Sequence, residues 1–141
     1  MDLPELVAPL PSVSPEETLP AVGRLMHERQ MRAATVMCDG KLLGLITEAS
    51  LAEVAVSDGA RTPCAQDVMI ADIEHVPVSM PVLAAAKLMR TRRLAYLALV
   101  DDQDEFVGIV TLRRVLFEVM DELGLKVDNL ERELMADGPG G

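Results

Sequence analysis

The sequence LLGLIT at residues 42–47 recurs as FVGIVT at residues 106–111. In both copies Gly stands third and Thr last, and a pattern typical of a helix follows. A buried strand that ends in Thr and passes directly into a helix has this form, because Thr can cap a helix N-terminus. We therefore predict two strand-to-helix corners, one at Thr47 and one at Thr111.

The two copies belong to a longer internal repeat. Residues 13–31 align with residues 76–94 at a constant offset of 63, and after one extra residue in the second copy the offset becomes 64. Leu-Met stands near the end of the first helix in both copies. Because only two copies exist, we expect two half-domains that pack together and not a solenoid.

Composition limits the class of protein. The 141 residues suffice for one domain or two small ones. Half of the residues are hydrophobic but only 2% are aromatic, so the core must be aliphatic. A formal net charge of −10 argues against a nucleic acid or an anionic membrane as the main partner. It leaves room for a small anion in a local basic pocket.

The sequence also predicts a cytoplasmic setting. Cys38 and Cys64 are too few for a disulfide framework and suit a reducing compartment. No apolar run approaches the roughly 18–20 residues of a membrane span. Residues 1–4 lack the basic start of a signal peptide. We therefore expect a soluble cytoplasmic protein.

The first helix has a strong start signal. Ser14, Pro15 and Glu17 are typical of a capping box with Pro at the first helical position. We predict a helix that begins after Ser14 and ends near Arg29. Its apolar residues fall on one stripe at helical spacing: Leu19, Val22, Leu25 and Met26.

The remaining elements follow from apolar runs and the turn residues between them. Asp39 and Gly40 predict a hairpin turn in the first copy. The acidic residues 101–105 predict a solvated hairpin tip in preference to a cation site. The predicted strands span residues 10–13, 34–38, 41–47, 73–76, 96–101 and 105–111, and further helices span 48–56 and 81–92 and begin at Leu112.

The last helix carries a heptad-like pattern interrupted by Gly124. Its apolar residues step by four and three: Leu116, Met120, Leu123, Val127, Leu130 and Leu134. This spacing suits both a helix that packs on its own domain and a seam between two chains, and the sequence leaves both open. Residues 136–141 are predicted to be a disordered tail.

The doubled pattern resembles the cystathionine-beta-synthase (CBS) domain pair, also called a Bateman module. The resemblance covers roughly residues 6–120 and includes the Val-Met pair at residues 68–69. It implies an α/β (α+β) fold of tandem β-α-β-β-α repeats with pseudo-two-fold symmetry, plus an extended C-terminal helix. The implied domains are residues 1–62, residues 63–122, and a C-terminal extension and tail over residues 123–141.

The resemblance also implies a function. Such pairs are not enzymes by themselves; they bind adenine nucleotides or adenosyl ligands in clefts between the repeats and commonly form flat dimers. We therefore expect a stand-alone regulatory module that binds AMP, ADP, ATP or S-adenosylmethionine, forms a homodimer and signals to a separate partner protein. The alternative is a dimeric interaction module with vestigial, non-binding clefts.

One departure from the family pattern concerns the ligand site. The family's motif usually places an Asp, which holds the ribose hydroxyls, three residues after the Thr. Here those positions are Ser50 and Arg114, and neither is a carboxylate acceptor. The candidate ligand-binding residues are Thr47, Ser50, Tyr96, Thr111, Arg113 and Arg114.

The two arginines suggest an anion. Arg113 and Arg114 lie in the first turn of a helix, where positive charge opposes the dipole. A bound phosphate would compensate, because Arg binds phosphate in bidentate fashion. An ion pair with an acidic neighbour would compensate equally well, and the nearest in sequence are Asp101, Asp102 and Glu118.

No catalytic machinery is predicted. The sequence pairs no nucleophile with a base, and it contains neither a Gly-rich phosphate loop nor the ligand spacing of a zinc site. The chain is therefore not predicted to be an enzyme, and no metal site is predicted.

Overall fold

The computed structural model describes residues 2–56 and 63–124. By their internal contacts these residues form two compact units. We call residues 10–73 the first-repeat unit, and residues 2–9 together with 74–124 the second-repeat unit. Each contains one three-stranded mixed sheet and its helices, so the predicted α/β fold of two tandem repeats is confirmed.

The first-repeat unit follows the predicted order of elements and adds a short helix. Its elements are β1 (Ser12–Val13), α1 (Leu19–Arg29), β2 (Ala33–Cys38), β3 (Lys41–Thr47), α2 (Glu48–Ala55) and α3 (Ala65–Val68). β1 runs parallel to β2, which pairs with β3 in an antiparallel hairpin. Asp39 and Gly40 form the hairpin turn with φ of 51° and 77°, as the sequence predicts.

The second-repeat unit repeats this topology. Its elements are a 3-10 turn at Leu3–Leu6, β4 (His75–Pro77), α4 (Val82–Arg92), β5 (Tyr96–Val100), β6 (Phe106–Thr111) and α5 (Leu112–Glu122). β4 is parallel to β5, and β5 pairs antiparallel with β6. At the acidic tip, the Asp101 carboxylate accepts bonds from the Gln103 and Glu105 amides, both 2.9 Å. The predicted hairpin tip is confirmed.

Each unit has an aliphatic core of its own, as the composition predicts. The buried core residues of the first-repeat unit are Val13, Leu19, Val22, Met26, Ala34, Val36, Ile46 and Ala65. Those of the second-repeat unit are Leu3, Leu6, Val76, Val82, Ala85, Met89, Leu97, Leu99, Val110 and Val115.

The predicted start of α1 is wrong. The helix begins after Thr18, not after Ser14, and residues 14–17 form a turn. The reason lies in tertiary contacts: the carbonyls of Pro15 and Glu17 accept bonds from the first amides of α3, at 3.0 and 2.8 Å. This turn therefore satisfies the N-terminus of a helix that lies about fifty residues away along the chain, which a local capping signal cannot reveal.

The segment before each repeat belongs to the unit of the other repeat. Leu3 and Leu6 are buried in the core of the second-repeat unit, and the Ala8 amide bonds to the Ile109 carbonyl at 2.9 Å. In the first-repeat unit, Ile70 and Leu45 exchange two backbone bonds of 2.7 and 3.0 Å. The predicted division of the chain lies between residues 62 and 63 and keeps the N-terminal residues with the first repeat. The compact units instead divide near residues 9 and 73, and residues 2–9 belong to the second-repeat unit.

These crossing segments explain the glycine of the repeated pattern. A Cβ at Gly44 would lie 2.7 Å from the Ile70 carbonyl oxygen, and one at Gly108 would lie 2.5 Å from Cγ1 of Val7. Both distances are too short for any side chain. Gly therefore stands third in each strand because a crossing segment lies directly over it, with the Ile70 backbone over Gly44 and the Val7 side chain over Gly108.

α5 is shorter than predicted. It ends at Glu122, and Gly124 takes a φ of +71°, as is typical of the residue after a helix C-cap. A helix that continues unbroken through Gly124 is therefore wrong. The heptad positions Val127, Leu130 and Leu134, and the predicted tail, lie outside the described residues.

We predict that Gly108→Ala lowers the free energy of unfolding by about 1–3 kcal/mol, because the new Cβ overpacks against Val7. Adding Val7→Ala removes the colliding γ-carbons and should recover part of that loss. Gly44→Ala should not be recovered by Val7→Ala, since its Cβ meets the Ile70 backbone. Urea denaturation of the single and double variants measures these differences.

The control for this experiment is Gly23→Ala. A Cβ at Gly23, in the middle of α1, would lie 3.7 Å from Leu51, an ordinary contact. This variant should be as stable as the parent or about 0.5–1 kcal/mol more stable, because Ala is the better helix former. Equal losses at Gly23 and Gly108 would contradict the role given to the crossing segment.

Candidate functional site

The first strand-to-helix corner is closed by a capping box. The Thr47 hydroxyl accepts a bond from the Ser50 amide at 3.2 Å, and the Ser50 hydroxyl accepts one from the Thr47 amide at 3.4 Å. The two hydroxyl oxygens are 3.1 Å apart. The predicted cap at Thr47 is confirmed. Ser50 is 8% exposed, and its hydroxyl takes part in this capping box.

The second corner uses the same cap without the reciprocal bond. The Thr111 hydroxyl accepts a bond from the Arg114 amide at 3.3 Å. Thr111 is only 1% exposed. The predicted cap is confirmed here too, but the threonine side chain faces the interior of the unit and not its surface.

A second internal bond completes each corner. The amide of Glu48, the first residue of α2, donates to the Arg32 carbonyl at 3.1 Å. The amide of Leu112, the first residue of α5, donates to the Ala95 carbonyl at 2.9 Å. Two first-turn amides are thus engaged at each corner, and fewer backbone donors remain for a phosphate than a bare helix N-terminus offers.

Arg114 contacts the crossing segment. Its Nη1 donates to the Val7 carbonyl at 3.3 Å. Within residues 2–56 and 63–124, Arg114 forms no ion pair with Asp101, Asp102 or Glu118. The charge-pairing interpretation is therefore wrong for this arginine in the described part of the chain, because a neutral carbonyl occupies one of its donors instead.

Arg113 and Tyr96 complete the second corner. The Arg113 guanidinium carbon lies 5.9 Å from the centre of the Phe117 ring, one helical turn further along α5, within cation–π range. Tyr96 begins β5, is half-buried and stands opposite Thr111 in the sheet register. The structure thus brings together the four predicted residues of the second-repeat unit, whereas Thr47 and Ser50 lie in the first-repeat unit.

Sequence reasoning missed one cation. Arg32 directly precedes β2, and its Nε lies 3.9 Å from a carboxylate oxygen of Glu48. The Glu48 side chain is 64% exposed, so this pair contributes at most about 1 kcal/mol. The sequence prediction considered cations only in the first turn of each helix, and residues 48–50 contain none. Ala33 pairs with Thr47 across the hairpin, so Arg32, the residue before Ala33, lies next to the first corner.

Other reactive groups lie apart from the corners. Cys38 is exposed at the first hairpin tip, where the Asp39 carboxylate raises the pKa of its thiol and so disfavours the nucleophilic thiolate. Over the described ranges, no three His, Cys, Asp or Glu side chains converge as a metal site. Nor does any helix in that part of the chain have the length and apolar character needed to cross a bilayer.

A CBS domain family model matches the chain twice, over residues 5–57 and 65–121. The chain belongs to the CBS domain family. The predicted CBS domain pair is thereby confirmed, and its two copies account for most of the sequence.

The curated relatives are longer proteins, in which the region similar to this chain is only one part. An inosine-5′-monophosphate dehydrogenase of Thermoplasma acidophilum is 27% identical over 105 residues, which are 74% of this chain and 21% of that enzyme. An uncharacterised protein of Methanopyrus kandleri is 31% identical over 106 residues, 73% of this chain and 54% of that protein. The chain thus spans roughly a fifth to a half of the length of these relatives.

Solved structures show the same fold. CBSX2, solved in complex with AMP, has a TM-score of 0.70 at 19% identity and covers 85% of this chain and 96% of its own. A CBS domain pair in complex with 5′-methylthioadenosine and S-adenosyl-L-methionine has a TM-score of 0.73 at 17% identity, covering 86% and 98%.

We predict that Thr111→Val lowers the free energy of unfolding by about 0.5–2 kcal/mol, because the near-isosteric change removes the cap from the Arg114 amide. Thr111→Ser keeps the hydroxyl and should retain most of the stability. Thermal denaturation by circular dichroism distinguishes the two. A valine variant as stable as the serine variant would show that the hydroxyl does not stabilise this corner.

Proposed function

We propose that this chain is a regulatory CBS domain pair that binds an adenine nucleotide or a related adenosyl ligand, and that the second-repeat unit supplies the anion contact. Family membership and the likeness to chains solved with AMP and with S-adenosylmethionine support this proposal. The observation that carries it is that Arg113 and Arg114 lie in the first turn of α5, directly after Thr111, which pairs with Tyr96 in the sheet.

The chemistry of that corner suits a phosphate-bearing ligand. The chain as a whole carries a net charge of −10, yet two adjacent arginines lie in the first turn of α5. Positive charge in the first turn opposes the helix dipole, and a bound anion would offset that repulsion. The guanidinium of Arg114 has further N–H donors beyond the one on Val7, in the planar arrangement that matches a phosphate.

Ribose recognition should be weaker than phosphate recognition here. The position where the family usually carries a carboxylate is Ser50 in one unit and Arg114 in the other. The Ser50 hydroxyl is buried in its capping box. We therefore propose that ligand affinity depends mainly on the phosphate or another anionic group. We also propose that the protein acts in the cytoplasm and that a separate partner protein responds to ligand binding.

Isothermal titration calorimetry with AMP, ADP, ATP and S-adenosylmethionine tests this function. We expect heat of binding from at least one nucleotide, and an affinity reduced about tenfold or more by Arg114→Ala, because a charged hydrogen bond contributes about 1.5–3 kcal/mol. Adenosine, which has no phosphate, should bind more weakly than AMP.

The matched control is Arg90→Ala. Arg90 is an exposed arginine of α4 in the same unit, so its loss changes the net charge equally without touching the corner. This variant should bind nucleotide as the parent does. No heat at millimolar concentrations of all four ligands would rule out the nucleotide proposal.

A dimeric interaction module is the second candidate, and a specific observation favours it. The hydroxyls of Ser50 and Thr111, both predicted ligand contacts, are buried and bonded within helix caps. In addition Leu123, a heptad position just after α5, is 67% exposed. We propose a homodimer in either case, with the face that carries Leu116, Met120 and Leu123 as part of the contact.

Sedimentation velocity tests the dimer. Leu123→Glu should shift the population toward monomer, because a charge would be buried in an apolar seam. Val56→Glu is the control, since Val56 is 85% exposed and lies in the first-repeat unit outside the heptad pattern. A Leu123→Glu variant that stays fully dimeric would exclude this face. A dimer unaffected by nucleotide would favour the interaction module.

A further inference from the structure

The described N-terminal segment, residues 2–9, is bound to the second-repeat unit at several points. Leu3 is fully buried and Leu6 is 7% exposed in that unit's core. Val7 forms a bridge with Val110 and lies over Gly108, and the Ala8 amide bonds to the Ile109 carbonyl. The segment therefore forms one wall of the unit although it begins about a hundred residues before β6.

Arg114 links this segment to the first turn of α5. Its backbone amide is held by the Thr111 hydroxyl at 3.3 Å, and its Nη1 donates to the Val7 carbonyl, also at 3.3 Å. Among the described residues, that carbonyl is the sole partner of the guanidinium. One edge of the planar group is thus fixed by the segment, while the edge formed by Nε and Nη2 retains donors for a bidentate anion.

We propose that the N-terminal segment positions Arg114 for an anion, and that anion binding in turn stabilises the segment. This inference rests on the proposed function and adds its regulation. A side chain already held in one orientation loses less conformational freedom when it binds. Because coupling between two events is reciprocal, the ligand must strengthen the contact of the segment by the same factor by which the segment strengthens ligand binding.

The described part of the first-repeat unit has no equivalent of this link. Ser50 occupies the position that aligns with Arg114, and its hydroxyl bonds to Thr47. The crossing backbone at Ile70 is paired directly with Leu45. Among the residues described, only the second corner has a cation that connects the helix to the crossing segment. That cation, Arg114, also keeps N–H donors that an anion could use. The coupling should therefore be confined to residues 2–9.

The structural half of the proposal is that Arg114 and the N-terminal segment hold each other in place without ligand. Hydrogen–deuterium exchange of the ligand-free protein tests it. Arg114→Met keeps most of the aliphatic stem but removes the donor to Val7. Exchange in residues 3–8 should become about threefold to tenfold faster, as expected for the loss of one hydrogen bond. Arg90→Met, which removes the same charge from exposed α4, should leave this exchange unchanged. Equal exchange in the two variants would overturn the inference.

The ligand half of the proposal is that a bound anion stabilises the segment. It is tested by adding AMP, with inorganic phosphate as the second probe. Saturating AMP should slow exchange in residues 3–8 of the parent, and this protection should be absent in Arg114→Met. If phosphate alone gives the same protection, the coupling comes from the anion and not from the purine. Heat of AMP binding without any added protection would overturn the inference and leave the proposed function intact.

A variant on the segment itself provides the reciprocal test. Val7→Ala keeps the carbonyl that Arg114 uses but removes the γ-carbons that pack over Gly108. It should weaken AMP binding severalfold although Arg114 is untouched. Val36→Ala, a buried valine of the first-repeat unit, controls for general destabilisation and should bind AMP as the parent does. If neither AMP nor phosphate gives heat, the proposed function and this ligand half fail together, and the exchange of Arg114→Met alone decides the structural half.

Discussion

The close approach of a crossing segment to a glycine in each unit is the constraint on which both units depend. At Gly44 and at Gly108 a segment from the start of the other repeat lies so near the strand that no Cβ fits. These approaches bring Leu3 and Leu6 into one core and Ala65 into the other. The repeated pattern of apolar residues with Gly in third place is thus a packing requirement, and the terminal Thr adds the helix cap.

Local signals allowed most of the fold to be predicted. The hairpin at Asp39 and Gly40 and the helices that follow Thr47 and Thr111 were predicted from a few adjacent residues, because turn and cap chemistry operates over three or four positions. The start of α1 could not be predicted this way. The sequence at Ser14 is typical of a helix cap, but the carbonyls of Pro15 and Glu17 accept hydrogen bonds from the first amides of α3.

The candidate site was predicted less completely than the fold. The sequence identified which residues stand at the corners, since cap position and family motif coincide there. It could not indicate that Thr111 and Ser50 are buried, because burial depends on segments that are distant along the chain. Nor could it indicate that Arg114 reaches Val7, a contact between residues more than a hundred positions apart. Arg32 was overlooked because its position is set by strand register.

The exchange of opening segments has a consequence for biosynthesis. The second-repeat unit is not one uninterrupted stretch of the polypeptide, because it requires residues 2–9 as well as residues 74–124. A nascent chain would therefore keep Leu3 and Leu6 without their native neighbours until β6 and α5 have left the ribosome. The gene cannot be cut at its apparent midpoint without removing part of a hydrophobic core from both halves.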